Sequence, residues 1–278
     1  MNKVILHIGL HKTGTTALQT FLFDNADLLS EKGISYFTRD RKSKNHHFLA
    51  AMFRGADSNR DNAQRMVEEI MTAANHRRVI ISSEILCEGN VDIVGFLSLF
   101  QPYDFQAIAY IRHPCDLTVS AFNERVRDPN ARRTEPIESL PLSYDPSLRY
   151  ALGEWVKTGN LTLCPYDRKQ WFGGNIYSDF LHQIGVDGSE LKIPENERNV
   201  SLPFLFIEAI RILNASGIDE KSRTQIIDIL RQAHSNPEGY AMSADGCLRC
   251  VDALAKSMPT YRPFLREGFD ESFLFEKR

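Results

Sequence analysis

The chain has 278 residues, of which 42% are hydrophobic and 25% are charged, and its formal net charge is -3. This composition excludes a wholly disordered chain and supplies enough apolar residues for one large α/β domain. The slightly negative charge excludes a general attraction to nucleic acid or to an anionic membrane, so any anion site must be built locally. No apolar run reaches the roughly 18 residues that a membrane span needs.

The cysteines and the N-terminus favour a cytoplasmic protein. The N-terminus lacks the basic region and long apolar stretch of a signal peptide. The cysteines are odd in number and mostly scattered, which is typical of a reducing compartment. They are Cys87, Cys115, Cys164, Cys247 and Cys250. A single C-x-x-C is weak evidence for zinc or redox chemistry, so we expect Cys247 and Cys250 to be ordinary surface or core cysteines.

The first elements are a strand, a loop with two glycines and a helix. The apolar, β-branched residues 4–8 predict a buried parallel strand, and residues 17–31 predict one helix that stops at Gly33. The loop between them carries Gly9, Lys12 and Gly14. Strand, glycine-containing loop and helix N-terminus form a geometry that binds phosphate, because the backbone can approach the anion and point N–H groups at it.

Strands and helices then alternate up to about residue 185. The further predicted strands are residues 34–37, 79–84, 105–111 and 161–166. The further predicted helices begin near residues 47, 59, 91, 114, 149, 175, 203, 220 and 246, and a long surface loop covers 127–146. This order predicts a three-layer α/β fold, with about five parallel strands and helices on both faces. We expect a single domain, in which residues 1–185 form the core and residues 186–278 a mainly helical cap.

The loop differs from a Walker A sequence in the position of its lysine. Gly9, Gly14 and Thr16 fit G-x-x-x-x-G-K-[ST], but Thr15 stands where the lysine should be. The run Lys12-Thr13-Gly14-Thr15-Thr16 resembles the K-[ST]-G-T-[ST] loop of sulfotransferases that use 3′-phosphoadenosine 5′-phosphosulfate. The resemblance implies a P-loop-like sulfotransferase fold of the soluble bacterial type. It also implies that Lys12, Thr13, Gly14, Thr15 and Thr16 bind the phosphosulfate.

A second motif of the same family follows the fourth strand. Arg112, Pro114, Ser120 and Phe122 fit R-x-P-x5-S-x-[FY], about 100 residues after the loop. The resemblance implies that Arg112 and Ser120 hold the 3′-phosphate, and the planar guanidinium suits two phosphate oxygens. A softer likeness after the fifth strand extends the match over residues 3–185, and residues 198–201 are a weaker candidate for a later cofactor contact.

The same resemblance places a catalytic histidine or glutamate after the third strand, where this chain has Glu84. We expect partial enclosure to raise the pKa of Glu84 so that it acts as the general base. The other interpretation is that Glu84 only pairs with Lys12 or caps a helix. His11 is a rival base within the loop. His46 and His47 are candidates for the acceptor side, and either of them also stays open as the base.

The resemblance implies transfer of a sulfuryl group from 3′-phosphoadenosine 5′-phosphosulfate to a hydroxyl or, less favoured, an amine. Lys12 would stabilise the leaving oxygen, the product would be adenosine 3′,5′-bisphosphate, and no metal is expected. The acceptor is a small molecule, glycan or lipid, selected by residues 46–54, residues 127–146 and the C-terminal helices. Two alternatives stay open: a P-loop kinase that uses ATP and Mg²⁺, and a non-catalytic binding module on the same fold.

Overall fold

The computed structural model describes residues 4–37, 43–55, 59–101, 103–139, 148–194, 202–232 and 242–276. Contacts between Cα atoms divide the chain into two compact units. The first unit comprises Met1–Arg112, Ser147–Asn196 and Ser257–Phe273, and the second comprises His113–Pro146, Glu197–Lys256 and Leu274–Arg278. The single domain, with a boundary at residue 185 between its core and its cap, stays a prediction.

The first unit contains a five-stranded parallel sheet with the order β2-β3-β1-β4-β5. Its strands are β1 (Val4–Gly9), β2 (Ile34–Ser35), β3 (Arg78–Ser82), β4 (Phe105–Ile111) and β5 (Leu161–Pro165). All residues of the central strand β1 are buried, as its unbroken apolar run predicts for a strand covered on both faces. The predicted α/β fold with about five parallel strands is therefore confirmed, although β2 is shorter than predicted.

The helices follow the predicted order. They are α1 (Thr15–Asp24), α2 (Ala26–Glu31), α3 (His47–Ala51), α4 (Arg60–Ala74), α5 (Ile93–Ser98), α6 (Pro114–Arg127), α7 (Leu148–Lys157), α8 (Ile176–Gln183), α9 (Phe204–Ala215), α10 (Glu220–Gln232) and α11 (Ala244–Tyr261). The described residues beyond 202 are mainly helical, as expected for the C-terminal part. None of the helices in the described ranges is both long enough and apolar enough to cross a membrane.

The core of the first unit joins α1 and α8 to the sheet. Leu18 and Phe21 of α1 and Phe180 of α8 are buried against Ile5 of β1. Neighbouring side chains of a strand point to opposite faces, and both neighbours of Ile5 are buried too, so the second face is also covered. This covered sheet is a rigid support for the loops that leave its carboxyl edge.

The single helix predicted over residues 17–31 is wrong at Asn25, where α1 ends and α2 begins. The Asn25 amide Nδ2 donates to the carbonyl of Phe21 at 2.9 Å, and the backbone N–H of Lys192 donates to Asn25 Oδ1 at 2.8 Å. Asn25 therefore replaces a continuous helical turn with contacts to chain that lies 167 residues later. The helical periodicity of the sequence does not indicate such a contact.

Residues beyond α11 return to the sheet. Leu265 forms a parallel bridge with Leu163 of β5, and the backbone N–H of Arg266 donates to the Leu163 carbonyl at 3.0 Å. The Arg266 side chain forms an ion pair with Asp179 of α8, whose side chain is fully buried. These contacts join the end of the first unit to its edge strand and to α8.

The second unit is held together by a buried arginine and a disulfide as well as by apolar packing. Phe122 and Val126 of α6 pack with Ile207 of α9 and Ile227 of α10. Arg223 of α10 is 1% exposed. It donates to Asn214 Oδ1 at 2.7 Å, and to the carbonyl groups of Val126 at 2.8 Å and Arg127 at 2.9 Å.

Cys115 and Cys247 form a disulfide across 132 residues of sequence, with their Cα atoms 5.3 Å apart. The expectation that Cys247 is an ordinary cysteine is wrong, because α11 brings it beside the first turn of α6. Cys87, Cys164 and Cys250 are outside this bond. The cytoplasmic location stays a prediction.

Several predicted segments extend outside the described residues. They are residues 38–42 and 56–58, residues 140–146 of the long loop, residues 198–201 of the weak cofactor motif, and residues 233–235 at the end of the helix predicted to begin near residue 220. The predicted acceptor-selecting segments are thus described only in part.

Candidate active site

The predicted site residues of the first unit come together at one edge of its sheet. The loop 9–16 follows β1, Glu84 follows β3 and Arg112 follows β4, while Tyr166, which was not a predicted site residue, follows β5. Because all these strands are parallel, their carboxyl ends lie at the same edge, which is where open α/β sheets bind ligands. These residues of the first unit therefore lie at one edge of its sheet.

The loop takes its shape from residues with left-handed backbone. Lys12 has φ 64°, and Gly14 has φ 75° and is the residue that precedes α1. A Cβ on Gly14 would lie 3.1 Å from the Tyr166 ring and 3.2 Å from Ile176, so a side chain there would be both strained and crowded. The turn lets α1 begin at Thr15 with its first N–H groups without intrahelical acceptors, as an anion site at a helix N-terminus requires.

The threonines of the loop do different things. Thr13 is fully buried, and its hydroxyl donates to the carbonyl of Leu10 at 2.6 Å. That hydroxyl braces the loop, so only the backbone N–H of Thr13 is suited to a ligand. Thr15 is buried and Thr16 is exposed at the first turn of α1.

Gly9 lets the loop approach Glu84. A Cβ on Gly9, whose φ is +111°, would lie 3.2 Å from the Glu84 Cβ. Because Gly9 has no side chain, the end of β1 can lie close to Glu84, which follows β3. The expected base and the expected phosphate loop meet at this point.

Arg112 connects the second motif to the loop. Its Nη1 donates to the carbonyl of Lys12 at 3.0 Å, and its guanidinium carbon lies 5.4 Å from the centre of the Tyr166 ring. Arg112 is half-buried, and the described residues offer no further acceptor for its other N–H groups. Ser120 is half-buried on α6, in the second unit, and its pairing with Arg112 around one phosphate stays a prediction.

Glu84 begins a short 3₁₀ turn, Glu84–Cys87, and its side chain is 14% exposed. Gln19 of α1 donates from Nε2 to Glu84 Oε2 at 2.8 Å, and His47 Nε2 lies 3.4 Å from Glu84 Oε1. Burial on its own raises the pKa of Glu84, but the hydrogen bond and charge of His47, together with the bonds from the backbone and from Gln19, lower the pKa to about 2. The predicted raised pKa is wrong, because the sequence gives no sign of these partners.

His47 is the first residue of α3 and lies between two residues that follow β3. Its Nδ1 is 2.8 Å from the hydroxyl of Ser83, which is fully buried, while its Nε2 faces Glu84. The backbone N–H of His46 donates to the Ser82 carbonyl at 2.9 Å and so anchors the start of α3 to β3. Ser83, His47 and Glu84 form a connected polar group at the sheet edge.

Three other histidines, His11, His46 and His7, contact partners other than Glu84. The exposed ring of His11 pairs with Glu88, at 3.3 Å between Nε2 and Oε1. His46 is fully buried, its ring bonds the Phe37 carbonyl and the Ser82 N–H, and burial lowers its pKa to about 4. His7 is fully buried beside the Ser82 hydroxyl at 2.8 Å, and burial lowers its pKa to about 4 as well.

Sequence reasoning missed Gln19 and underestimated His47. Gln19 lies four residues after Thr15, on the side of α1 that carries the loop, and this helical spacing is a signal that could have found it. His47 was predicted for the acceptor side and was left open as a base in place of Glu84. Within the described ranges, no group of three or more His, Cys, Asp or Glu residues is arranged to hold a metal ion, and the expectation that no metal is needed stays a prediction.

Comparisons with known proteins give only distant similarity. No family model matches the chain. A protein of Archaeoglobus fulgidus, described as uncharacterized, is 25% identical over 157 residues, which are 55% of this chain and 43% of that protein.

Two solved structures share 16% sequence identity with the chain. One comes from work on the PezAT toxin–antitoxin system of Streptococcus pneumoniae, and covers 82% of this chain and 87% of its own with a TM-score of 0.30. The other is a sulfotransferase domain from the olefin synthase of Synechococcus PCC 7002, and covers 85% of this chain and 95% of its own with a TM-score of 0.34. These scores carry no argument about function, which must be argued from the residues of this chain.

Proposed function

We propose that the chain is a sulfotransferase that moves a sulfuryl group from 3′-phosphoadenosine 5′-phosphosulfate to a hydroxyl group of an acceptor. The observation that carries the proposal is the hydrogen bond from Arg112 to the Lys12 carbonyl at 3.0 Å. This bond joins Lys12 and Arg112, which lie 100 residues apart and which the sulfotransferase resemblance assigns to the two ends of one nucleotide.

The loop fits an anionic group of this kind. Because residue 14 is glycine, no side chain fills the space at the start of α1, and an anion can approach the backbone there. The first N–H groups of α1 have no acceptors within the helix. In the proposal, Lys12 and the N–H groups of Gly14, Thr15 and Thr16 hold the phosphosulfate, while Arg112 and Ser120 hold the 3′-phosphate. The bound donor supplies the sulfuryl group and the leaving bisphosphate.

Lys12 is the electrostatic residue of the proposed mechanism. Negative charge develops on the oxygen that leaves, and an ammonium group held near that oxygen stabilises the transition state more than the ground state. The left-handed backbone of Lys12 and the bond from Arg112 to its carbonyl fix the start of this side chain.

Glu84 and His47 together are the proposed base. A carboxylate with a pKa of about 2 stays ionised near neutral pH and is by itself a weak base. His47 Nε2 lies 3.4 Å from Glu84 Oε1, so in the proposal the two side chains act together on the acceptor hydroxyl. Ser83 orients the ring from Nδ1, and Gln19 holds the second carboxylate oxygen.

Nucleotide binding tests the donor. We expect adenosine 3′,5′-bisphosphate to bind at micromolar concentration in calorimetry, and Lys12→Ala and Arg112→Ala each to weaken it about a hundredfold by removing a charged phosphate contact. The matched control is Arg54→Ala, which removes an arginine that pairs with Glu88. Absence of binding at high micromolar concentration would overturn the proposal, and preferential binding of ATP with Mg²⁺ would favour the kinase.

Turnover tests the base. Glu84→Gln should leave bisphosphate binding unchanged and slow sulfate transfer from the donor to a panel of phenols and sugars by about 10²–10⁴. Glu88→Gln is the control, because it neutralises a nearby carboxylate that pairs with His11 instead of His47. Full activity of Glu84→Gln would show that the base assignment is wrong.

A further inference from the structure

A third cysteine lies one helical turn from the disulfide of the second unit. Cys247 and Cys250 are three residues apart on α11, and residues at this spacing share one face of a helix. Cys115 and Thr118 are three residues apart on α6. Cys247 bonds Cys115, and the Cys250 sulfur lies 3.7 Å from the Thr118 hydroxyl, so two successive turns of the helices face each other.

The three sulfur atoms differ in their access to solvent. Cys115 is fully buried and Cys247 is 5% exposed, whereas Cys250 is half-buried and so partly open to solvent. An external thiol must reach a sulfur atom to reduce a disulfide, and burial slows that attack. Cys250 therefore has the position of an intermediary between solvent and the buried bond.

Cys115 and Cys247 both lie near the N-terminus of a helix, a position that favours thiol–disulfide exchange. Cys115 is the second residue of α6, where the N–H groups and the helix dipole stabilise a thiolate that leaves the bond. Cys247 is the fourth residue of α11, so a C-x-x-C in the first two turns of this helix resembles the arrangement in which such pairs are redox-active. Sequence alone could not suggest this, since the partner Cys115 is 132 residues away.

We propose that Cys115, Cys247 and Cys250 form a thiol–disulfide exchange site. The Cys250 thiol loses its proton to solvent, and its sulfur attacks the Cys247 sulfur. The new bond joins Cys247 to Cys250, the bond to Cys115 breaks, and Cys115 leaves as a thiolate and takes up a proton. The number of disulfides is unchanged in this step. Two molecules of an external thiol then reduce the Cys247–Cys250 bond and become one oxidised disulfide.

The exchange releases one structural constraint. The Cys115–Cys247 bond ties the first turn of α6 to α11, and α6 is the helix that carries Ser120. After exchange, the cross-link lies within α11 alone. A change in the ratio of reduced to oxidised thiols around the protein would therefore change whether α6 is cross-linked to α11. This proposal does not depend on the proposed sulfotransferase activity.

The rate of reduction tests the proposal. The native protein is incubated with reduced glutathione, quenched with acid and alkylated, and the modification of Cys115 is followed by peptide mass spectrometry. We expect Cys250→Ser to slow the appearance of alkylated Cys115 at least about tenfold, because the buried bond loses its accessible route. Cys164→Ser is the control, since it removes a buried thiol of the first unit and should leave the rate unchanged.

A trapping variant gives an independent answer. With Cys115→Ser and oxidised glutathione, Cys247 and Cys250 should form a disulfide with each other, which is identified in the peptide map. Equal reduction rates for the wild type and Cys250→Ser would overturn the proposal, and would identify the Cys115–Cys247 bond as a purely structural cross-link. Failure of the Cys115→Ser protein to form the Cys247–Cys250 bond would also overturn it.

Discussion

Arg223 in the second unit and Arg112 in the first unit both donate to backbone carbonyl groups, but they differ in what they leave unused. Arg223 is 1% exposed, and all three of its guanidinium nitrogens are committed to the side chains of Asn214 and Glu220 and to two carbonyl groups of α6. Arg112 is half-buried at the sheet edge and donates once, to the loop. One arginine holds helices together, and the other keeps donors for a ligand.

The same contrast separates the polar groups of the two units. A buried polar group whose hydrogen bonds are all satisfied contributes to the fold, and its removal leaves partners unpaired. A polar group that is braced through one bond and open on its other side is positioned for chemistry. By this criterion, Arg112 is positioned for a ligand, while Arg223 is structural.

The largest effect should come from Arg223→Met, which keeps the length of the side chain and removes its donors. Loss of the buried guanidinium removes the donor to Asn214 Oδ1 and to the Arg127 carbonyl, while the Val126 carbonyl keeps its bond from Asn214 Nδ2. The loss should lower the free energy of unfolding by about 3–5 kcal/mol, measured in urea. Arg112→Met, the matched variant, should change it by less than about 1 kcal/mol. If Arg223→Met does not fold, Arg223→Lys should still cost about 1–3 kcal/mol. Equal free energies of unfolding for the two variants would show that Arg223 and Arg112 do not differ in their contribution to stability.

Acid should weaken the first unit through its buried histidines. The pKa of His7 is lowered to about 4, so the unfolded chain takes up a proton below its ordinary value of 6.5 while the folded chain does not. This contribution is therefore present above pH 6.5 and is lost as the pH falls towards 4, by at most about 3 kcal/mol. His7→Asn should flatten the dependence of unfolding free energy on pH between 7 and 4.5.

The exposed His182 supplies the control for that measurement. His182→Asn should leave the pH dependence as it is in the wild type, because this ring lies at the surface against Phe172. A wild-type protein whose unfolding free energy is constant between pH 7 and 4.5 would contradict the assignment of neutral, buried histidines to the first unit.

The smallest effect sharpens the role of Arg112. Arg112→Lys keeps the charge and loses the planar fork, so bisphosphate affinity should fall about tenfold, or about 1.4 kcal/mol, with unchanged thermal stability. Calorimetry and thermal unfolding on the same sample measure both quantities. A loss as large as that of Arg112→Ala would show that shape matters more than charge, and no loss would remove Arg112 from the ligand site.

The order of strands and helices was predictable because its signals are local. The apolar run of β1, the glycines of the loop and Pro114 at the start of α6 each describe a few neighbouring residues. Arg112 and Lys12 could be expected at one edge because parallel strands end together. These signals define the frame of the candidate site.

What could not be predicted are pairings between distant residues. Asn25 divides a helix because Lys192 bonds it, and Cys247 is oxidised because Cys115 is beside it. The pKa of Glu84 is lowered, against expectation, since His47 reaches it from another element. Periodicity and motif spacing describe one segment at a time, so they miss a charge that arrives from a different segment.

The return of residues 265 and 266 to β5 also has a consequence for synthesis of the chain. β5 is the edge strand of the sheet, and its partner Leu265 is translated about 100 residues after Leu163. At roughly 5–20 residues per second, the nascent chain carries this strand edge without that partner for about 5–20 s. An unpaired edge is a template for pairing with another chain. If synthesis stops between β5 and residue 265, the incomplete chain would therefore have an aggregation-prone sheet edge, although β1 to β5 had already been made.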